Sequence, residues 1–277
     1  MNFKLTEDLQ NKVVEYYLSR PMSIGTVAEE FNLCKPKIVE ILESHKIQLY
    51  TKNQIFNPNF NERYFQTIDS EVKAYLLGFI FTDGNVFIKE HGDSKITQVS
   101  LTVKEEDRYI LEILKKELNT NRNITSDGRG ALSLSVRSNV MGEDLAKYNI
   151  VPNKSLIIRF PNNTESIGKY LNHFLRGVFD GDGSIQFRTT GKRVKFSIGL
   201  SAGNPEVLEQ VRNILSLKLD VFPVKVYVYS NKHTCMITWQ SFNDMLKICE
   251  YLYKDATIYL KRKREIYDDF KKYYFAR

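Results

Sequence analysis

Two aspartates, Asp83 and Asp182, end two look-alike segments: Leu76-Leu77-Gly78-Phe79-Ile80-Phe81-Thr82-Asp83-Gly84 and Leu175-Arg176-Gly177-Val178-Phe179-Asp180-Gly181-Asp182-Gly183. One offset of 99 residues separates Gly78 from Gly177, Asp83 from Asp182 and Gly84 from Gly183. Each segment reads as a mainly apolar helix of about three turns that ends in an acid. Ala74 and Gly78, four residues apart, put small residues on one side of the first helix, where a second helix can come close. If Gly78 and Gly177 face each other, the two helices run parallel and both acids meet. Two carboxylates at helix C-termini repel each other and oppose the negative ends of the helix dipoles. A divalent cation relieves that repulsion. Carboxylates and main-chain carbonyls suit Mg²⁺ or another hard ion such as Mn²⁺, and paired ions suit in-line attack on a phosphodiester. Asp83 and Asp182 are the expected ligands, with the carbonyls of Thr82 and Gly181 as further candidates. Gly84 and Gly183 are expected to leave each helix at positive φ. A single Gly-x-x-x-x-Asp-Gly stretch is a common helix terminator, but two in register, each followed by the same strand order, point to chemistry.

The elements that must position these acids also repeat. Asn85 to Lys89 and Ser184 to Arg188 alternate, with Val86 and Ile88, or Ile185 and Phe187, on one face. Second strands follow at Gln98 to Val103 and Val194 to Ser201, then helices at Glu106 to Leu118 and Pro205 to Leu217. A further strand pair comes around Asn123 to Ser126 with Ala131 to Arg137, and Pro223 to Tyr229 with Thr234 to Gln240. Helices over Asn139 to Tyr148 and Phe242 to Tyr253 close the repeats, and a basic helix over Tyr259 to Tyr274 ends the chain. The fold class is α+β: a pseudo-twofold pair of αββαββα repeats, each sheet with one face for helices and one for solvent or a ligand.

Ahead of the repeats, residues 8 to 19, Ser23 to Phe31 and Lys35 to His45 read as three short helices, with Ser23 as an N-cap and Asn32-Leu33-Cys34 as a tight turn. That is the helix-turn-helix pattern. Val27, Ala28, Phe31, Leu33, Ile38 and Ile41 would form its core, with Lys35, Lys37 and Ser44 on the exposed side. A small structural cap is the alternative. The expected organisation is a helix-turn-helix domain over residues 1–50, a linker at 51–70, a first repeat at 71–150, a linker at 151–167 and a second repeat with the terminal helix at 168–277.

Composition agrees with a nucleic-acid partner without demanding one. Forty Lys plus Arg against thirty-three Asp plus Glu give a net charge of +7 in 277 residues, which favours a polyanion. Cys34, Cys235 and Cys249 show no metal-binding spacing, and a reduced intracellular protein is expected. The N-terminus has no apolar core resembling a signal peptide. The longest apolar stretch, Ala74 to Phe81, is too short to span a bilayer, so no membrane role is expected.

The two segments resemble the motif of the LAGLIDADG homing endonucleases, in the type that carries two motifs on one chain. Asp180-Gly181-Asp182-Gly183 is very close to the motif; the first copy departs from it, with Phe81 at the earlier acidic position and Thr82 at the small one. The family's metal-binding acid is the later one, so Asp83 and Asp182 are retained. The resemblance covers about residues 71 to 275 and implies a monomeric, intron-encoded nuclease, whose two sheets form a saddle in the DNA major groove. It implies Mg²⁺-dependent double-strand cuts with short 3′ overhangs, made in a bacterial or phage cytoplasm or an organelle. It also implies basic or polar side chains near the metals, for which Lys104, Arg137 and Gln240 are candidates; Lys154 is another.

On that saddle, strand alternation nominates Asn85, Phe87, Lys89, Gln98, Ser100, Thr102, Ser133, Ser135 and Arg137 as DNA-facing in the first half. The second half offers Ser184, Gln186, Arg188, Lys195, Ser197, Lys225, Tyr227 and Tyr229. Arg and Gln suit guanine and adenine edges, and Ser and Lys suit bases or phosphates. Competing readings keep the fold but change the act: an RNA maturase bound to intron RNA, or a transcription regulator that binds DNA without cutting. An intein is disfavoured by the absence of a splicing nucleophile and terminal asparagine.

Overall fold

The computed structural model describes residues 5–50, 55–91, 94–153, 159–161, 166–190, 193–229 and 234–276. The chain divides into two compact units, Met1–Asn61 with Leu118–Asn121 and Glu62–Glu117 with Arg122–Arg277.

The first unit is all-α, with α1 (Glu7–Ser19), α2 (Ile24–Glu30) and α3 (Lys35–Ser44). Thr6 caps α1 by accepting from the Leu9 amide, and Ser23 caps α2 by accepting from the Thr26 amide. Asn32, at φ 49°, turns the chain between α2 and α3 in a conformation that asparagine tolerates. Val13, Tyr17, Val27, Ala28, Ile38, Ile41 and Leu42 form the core, with Phe31 and Leu33 half-buried against it. Asn57 donates to the Thr120 hydroxyl (3.0 Å) and Asn121 to the Phe56 carbonyl (3.1 Å), which ties residues 118–121 to this unit.

The second unit repeats one arrangement. The first copy is α4 (Glu71–Asp83), β1 (Gly84–His91), β2 (Ser94–Lys104), α5 (Arg108–Glu117), β3 (Thr125–Ser126), β4 (Ala131–Arg137) and α6 (Asn139–Ala146). The second is α7 (Leu171–Asp182), β5 (Gly183–Thr190), β6 (Arg193–Ala202), α8 (Pro205–Leu219), β7 (Tyr227–Val228), β8 (Cys235–Trp239) and α9 (Phe242–Tyr253). A terminal helix, α10 (Lys261–Phe275), follows.

Each copy holds a four-stranded antiparallel sheet, ordered β1-β2-β4-β3 and β5-β6-β8-β7. The edge strands β3 and β7 are only two residues long, shorter than their sequence patterns suggest. A short edge leaves few unpaired backbone groups to recruit another chain. One face of each sheet is apolar: Val86, Val99, Leu101, Leu132, Leu134 and Val136 are buried in the first, and Ile185, Phe196, Ile198, Leu200, Ile237 and Trp239 in the second. Ile110, Leu111 and Leu114 of α5, and Val207, Leu208, Val211 and Leu215 of α8, lie on the buried stripes of their helices. Each buried aliphatic or aromatic side chain contributes about 1.5–3 kcal/mol. Tyr64, Phe65 and Ile68, ahead of α4, are buried too.

Candidate active site

The acids are positioned by the mating of α4 and α7. Every residue from Ala74 to Phe81 is buried, as expected of a helix that is apolar all round. A Cβ at Gly78 would overlap the Phe174 carbonyl oxygen, and one at Gly177 would overlap the Tyr75 carbonyl oxygen. The two backbones are therefore in direct contact at both glycines, and any side chain there would force them apart. The helices run parallel: near their C-terminal ends a Cβ at Gly181 would strike the Thr82 hydroxyl and lie 3.2 Å from Asp83 Oδ2. The Asp83 carboxylate thus stands beside the backbone that leads into Asp182. Both acids are exposed, while Thr82 and Gly181 are partly so. The Thr82 hydroxyl donates to the Phe79 carbonyl (3.0 Å).

Gly84 and Gly183 do not leave their helices at positive φ. They have φ −74° and −87° with ψ 151° and 164°, so each strand begins at the cap with no left-handed step. Glycine is required there by space: a Cβ would overlap the Ile80 carbonyl oxygen at Gly84 and the Phe179 carbonyl oxygen at Gly183.

The two helix ends are supported differently. Asp180, fully buried, accepts from the Tyr75 hydroxyl (3.0 Å), the Tyr253 hydroxyl (2.7 Å) and the Leu260 amide (2.8 Å), joining α4, α9 and the start of α10. Burial raises its pKa, against the opposing pull of Lys263 and these donors. Phe81, its counterpart, packs edge-on to Phe174 and Phe160 at ring-centroid distances of 5.7 and 6.2 Å. Where the first helix has Leu77, the second has Arg176, which is fully buried. Arg176 donates to Glu71 Oε1 (2.7 Å) and to the carbonyls of Leu252 and Ile258 (2.9 Å each).

Lys263 lies in a run of like charges, Lys261-Arg262-Lys263-Arg264, where α10 reads only as a basic helix. Its ammonium donates to the carbonyls of Phe179 (2.6 Å), Asp180 (2.7 Å) and Gly183 (2.6 Å). Three acceptors at the C-terminus of α7 match the three donors of a lysine and the sign of the helix dipole. Burial lowers its pKa to about 8, while Asp180, Asp83 and Asp182 pull the other way. No sequence signal separates it from Lys261, Arg262 and Arg264; only the packing of α10 does.

The strand register sorts the other candidates. Gly84 faces Leu101 across β1 and β2, and Lys104 ends β2 on that same side, exposed. Arg137 faces Gln98, three residues the other way, about 10 Å further along the sheet. It donates to the Gln98 side chain (3.4 Å) on the polar sheet face. Gln240 follows Trp239, which faces Ile198, and occupies the matching level in the second half.

Asn85, Ser100 and Ser135 form one row of that face and Phe87, Gln98 and Arg137 another. Thr102 donates to the Ser133 hydroxyl in a third row (3.1 Å). Lys89 is exposed beside them. In the second half Ser184, Gln186, Arg188, Lys195, Lys225, Tyr227 and Tyr229 are exposed, but Ser197 is 8% exposed and offers little to a ligand. In the first unit Lys35 is exposed, and Lys37 is paired with Glu40 (2.8 Å). Lys154 lies outside the described residues.

Among the described residues there is no group of three or more His, Cys, Asp or Glu able to cage a metal. The exposed carboxylates of Asp83 and Asp182 at adjoining helix ends suit a hard divalent ion, which one or two carboxylates can hold together with substrate phosphates and water. No helix among the described residues is long and apolar enough to cross a membrane.

A family model described as a LAGLIDADG-like domain matches residues 169–250, the body of the second repeat. Comparison with curated protein sequences gives no match. Among solved structures, the meganuclease I-SmaMI bound to uncleaveable DNA has 14% identity and TM-score 0.53, over 73% of this chain and 90% of that one. The LAGLIDADG meganuclease I-AabMI bound to uncleaved DNA has 13% identity and TM-score 0.52, over 72% and 88%. I-SmaMI bound to uncleaved target in the presence of calcium ions has 16% identity and TM-score 0.50, over 72% and 89%. The chain shares the fold of these meganucleases.

Proposed function

We propose that this chain is a site-specific homing endonuclease that makes metal-dependent double-strand breaks in DNA, acting as a monomer because one chain supplies both motifs. The observation that carries this reading is the backbone contact at Gly78 and Gly177, which sets Asp83 beside Gly181 and hence beside the Asp182 end of α7. Asp83 and Asp182 would hold divalent ions, Mg²⁺ by preference, with the carbonyls of Thr82 and Gly181 as additional ligands. Such ions supply Lewis-acid stabilisation to the attacking and leaving oxygens of phosphodiester hydrolysis.

The chain's own residues do the rest. Lys263 fixes the end of α7, and Lys104 stands at the strand end where it can offset phosphate charge. The polar sheet faces hold the duplex and read it, with Arg137 and Gln98 offering paired donors and acceptors to base edges. The α1–α3 unit adds DNA contacts through Lys35 and Lys37. The setting is intracellular, where such a target is found. Retention of both acids favours cutting over the maturase and regulator readings.

The test is incubation of purified protein and Mg²⁺ with a library of duplex sites, sequencing the ends produced. Cuts in both strands with short 3′ overhangs are expected, and Asp83→Asn or Asp182→Asn should lower the rate by at least about a hundredfold. Undiminished cutting by both variants would remove these acids from the site.

A further inference from the structure

On the exposed face of the first sheet, two residues break the polar pattern. Phe87 and Ile96 are 55% and 44% exposed on β1 and β2, whereas Val86 and Thr97, their neighbours on the opposite face, are buried. Phe87 faces Gln98 and Lys89 faces Ile96 in the register, so Phe87 and Ile96 are diagonal neighbours on one face. Diagonal pairs lie within reach of an aromatic side chain. Together they make an apolar island bordered by Lys89, Gln98 and Arg137. In the second repeat, where Gly183 faces Leu200 as Gly84 faces Leu101, the same two places hold Gln186 and Lys195, both exposed. Among the described residues, these two places are apolar in the first sheet and polar in the second.

This further step rests on the endonuclease reading. Neither side chain of the island can hydrogen-bond to a base edge, and the apolar group that the major groove of unmodified DNA presents is the C5-methyl of thymine. We infer that Phe87 and Ile96 are specificity-determining residues that recognise thymine methyl groups in the half of the target bound by the first repeat. Phe87 stands three residues beyond Gly84, about 10 Å along β1, so the methyls lie in the flank of the target and away from the scissile phosphates. Gln186 and Lys195 give the other half a polar reading at the same level, suited to adenine and guanine edges.

The experiment starts from the duplex that the enzyme cuts and replaces each thymine in turn by deoxyuridine, which removes only the methyl. With the full chain, one or more positions on one side of the cut should lose about fourfold in binding per methyl. In Phe87→Ser or Ile96→Ser that penalty should vanish, while sensitivity to substitutions on the other side is unchanged. A merely structural role for the island would lower binding to all duplexes alike and leave the methyl dependence intact. The inference is overturned if no position shows a methyl penalty that either variant abolishes, even though cutting proceeds. If no duplex is bound or cut at all, the endonuclease reading fails and this inference falls with it.

Discussion

Residues at matching places in the two motifs have diverged into different jobs. Asp180 is a buried acceptor for three donors, whereas Phe81 packs against the rings of Phe160 and Phe174. Restoring the motif's acid with Phe81→Asp should therefore harm the protein. A carboxylate placed against the buried rings of Phe160 and Phe174 gives up its hydration, and a loss of about 3 kcal/mol or more is expected in urea unfolding. An unchanged midpoint would show that the cluster can admit water. Lys263 poses the converse case. Lys263→Met removes the cation from three carbonyls and from the buried Asp180 environment, and about 3–5 kcal/mol should be lost. Calorimetry showing a loss below about 1 kcal/mol would mean that the ammonium is dispensable. The sequence exposed Asp83 and Asp182 through their repeat, but Lys263 lay hidden in a run of like charges. Its role depends on which side of α10 meets α7.

Elements carry the geometry that no single residue can. The α4–α7 contact has no room for a methyl at Gly78, because the obstacle is backbone and cannot rotate away. Gly78→Ala should cost about 3 kcal/mol or more and should abolish cutting by spreading Asp83 from Asp182. A variant with full activity and an unshifted melting temperature would contradict the close approach. The same physics corrects an expectation from sequence: Gly84 and Gly183 are not left-handed caps, because the strands start at once in extended backbone and the glycines serve space instead. Strand alternation is legible, since buried residues recur with the two-residue period along β4, between half-buried ones. Register is not: only strand pairing sets Arg137 beside Gln98.

At the scale of the molecule, the chain combines a basic two-repeat unit with an all-α unit whose core is its own. Val13, Tyr17, Val27, Ile38 and Leu42 pack together, and the Tyr50 amide donates to the Tyr17 hydroxyl (2.6 Å). Deleting residues 1–50 thus removes that core as a whole. Binding measured by fluorescence anisotropy should weaken by about tenfold or more as phosphate contacts are lost, while Mg²⁺-dependent cutting persists at higher protein concentration. Unchanged affinity and footprint would make α1–α3 a structural cap.

The sequence by itself determined the repeat, the order of its elements and the identity of the paired acids, because periodicity and a constant 99-residue offset are properties of the chain alone. Tertiary structure decided which residues support those acids. Arg176 bonds to Glu71 across 105 positions of the chain, Lys263 to Asp180 across 83 and the Ile258 amide to Glu71 across 187, and such contacts leave no local pattern to read. The apolar island of Phe87 and Ile96 belongs to the same class: each residue is unremarkable in its own strand, and only strand pairing makes them neighbours.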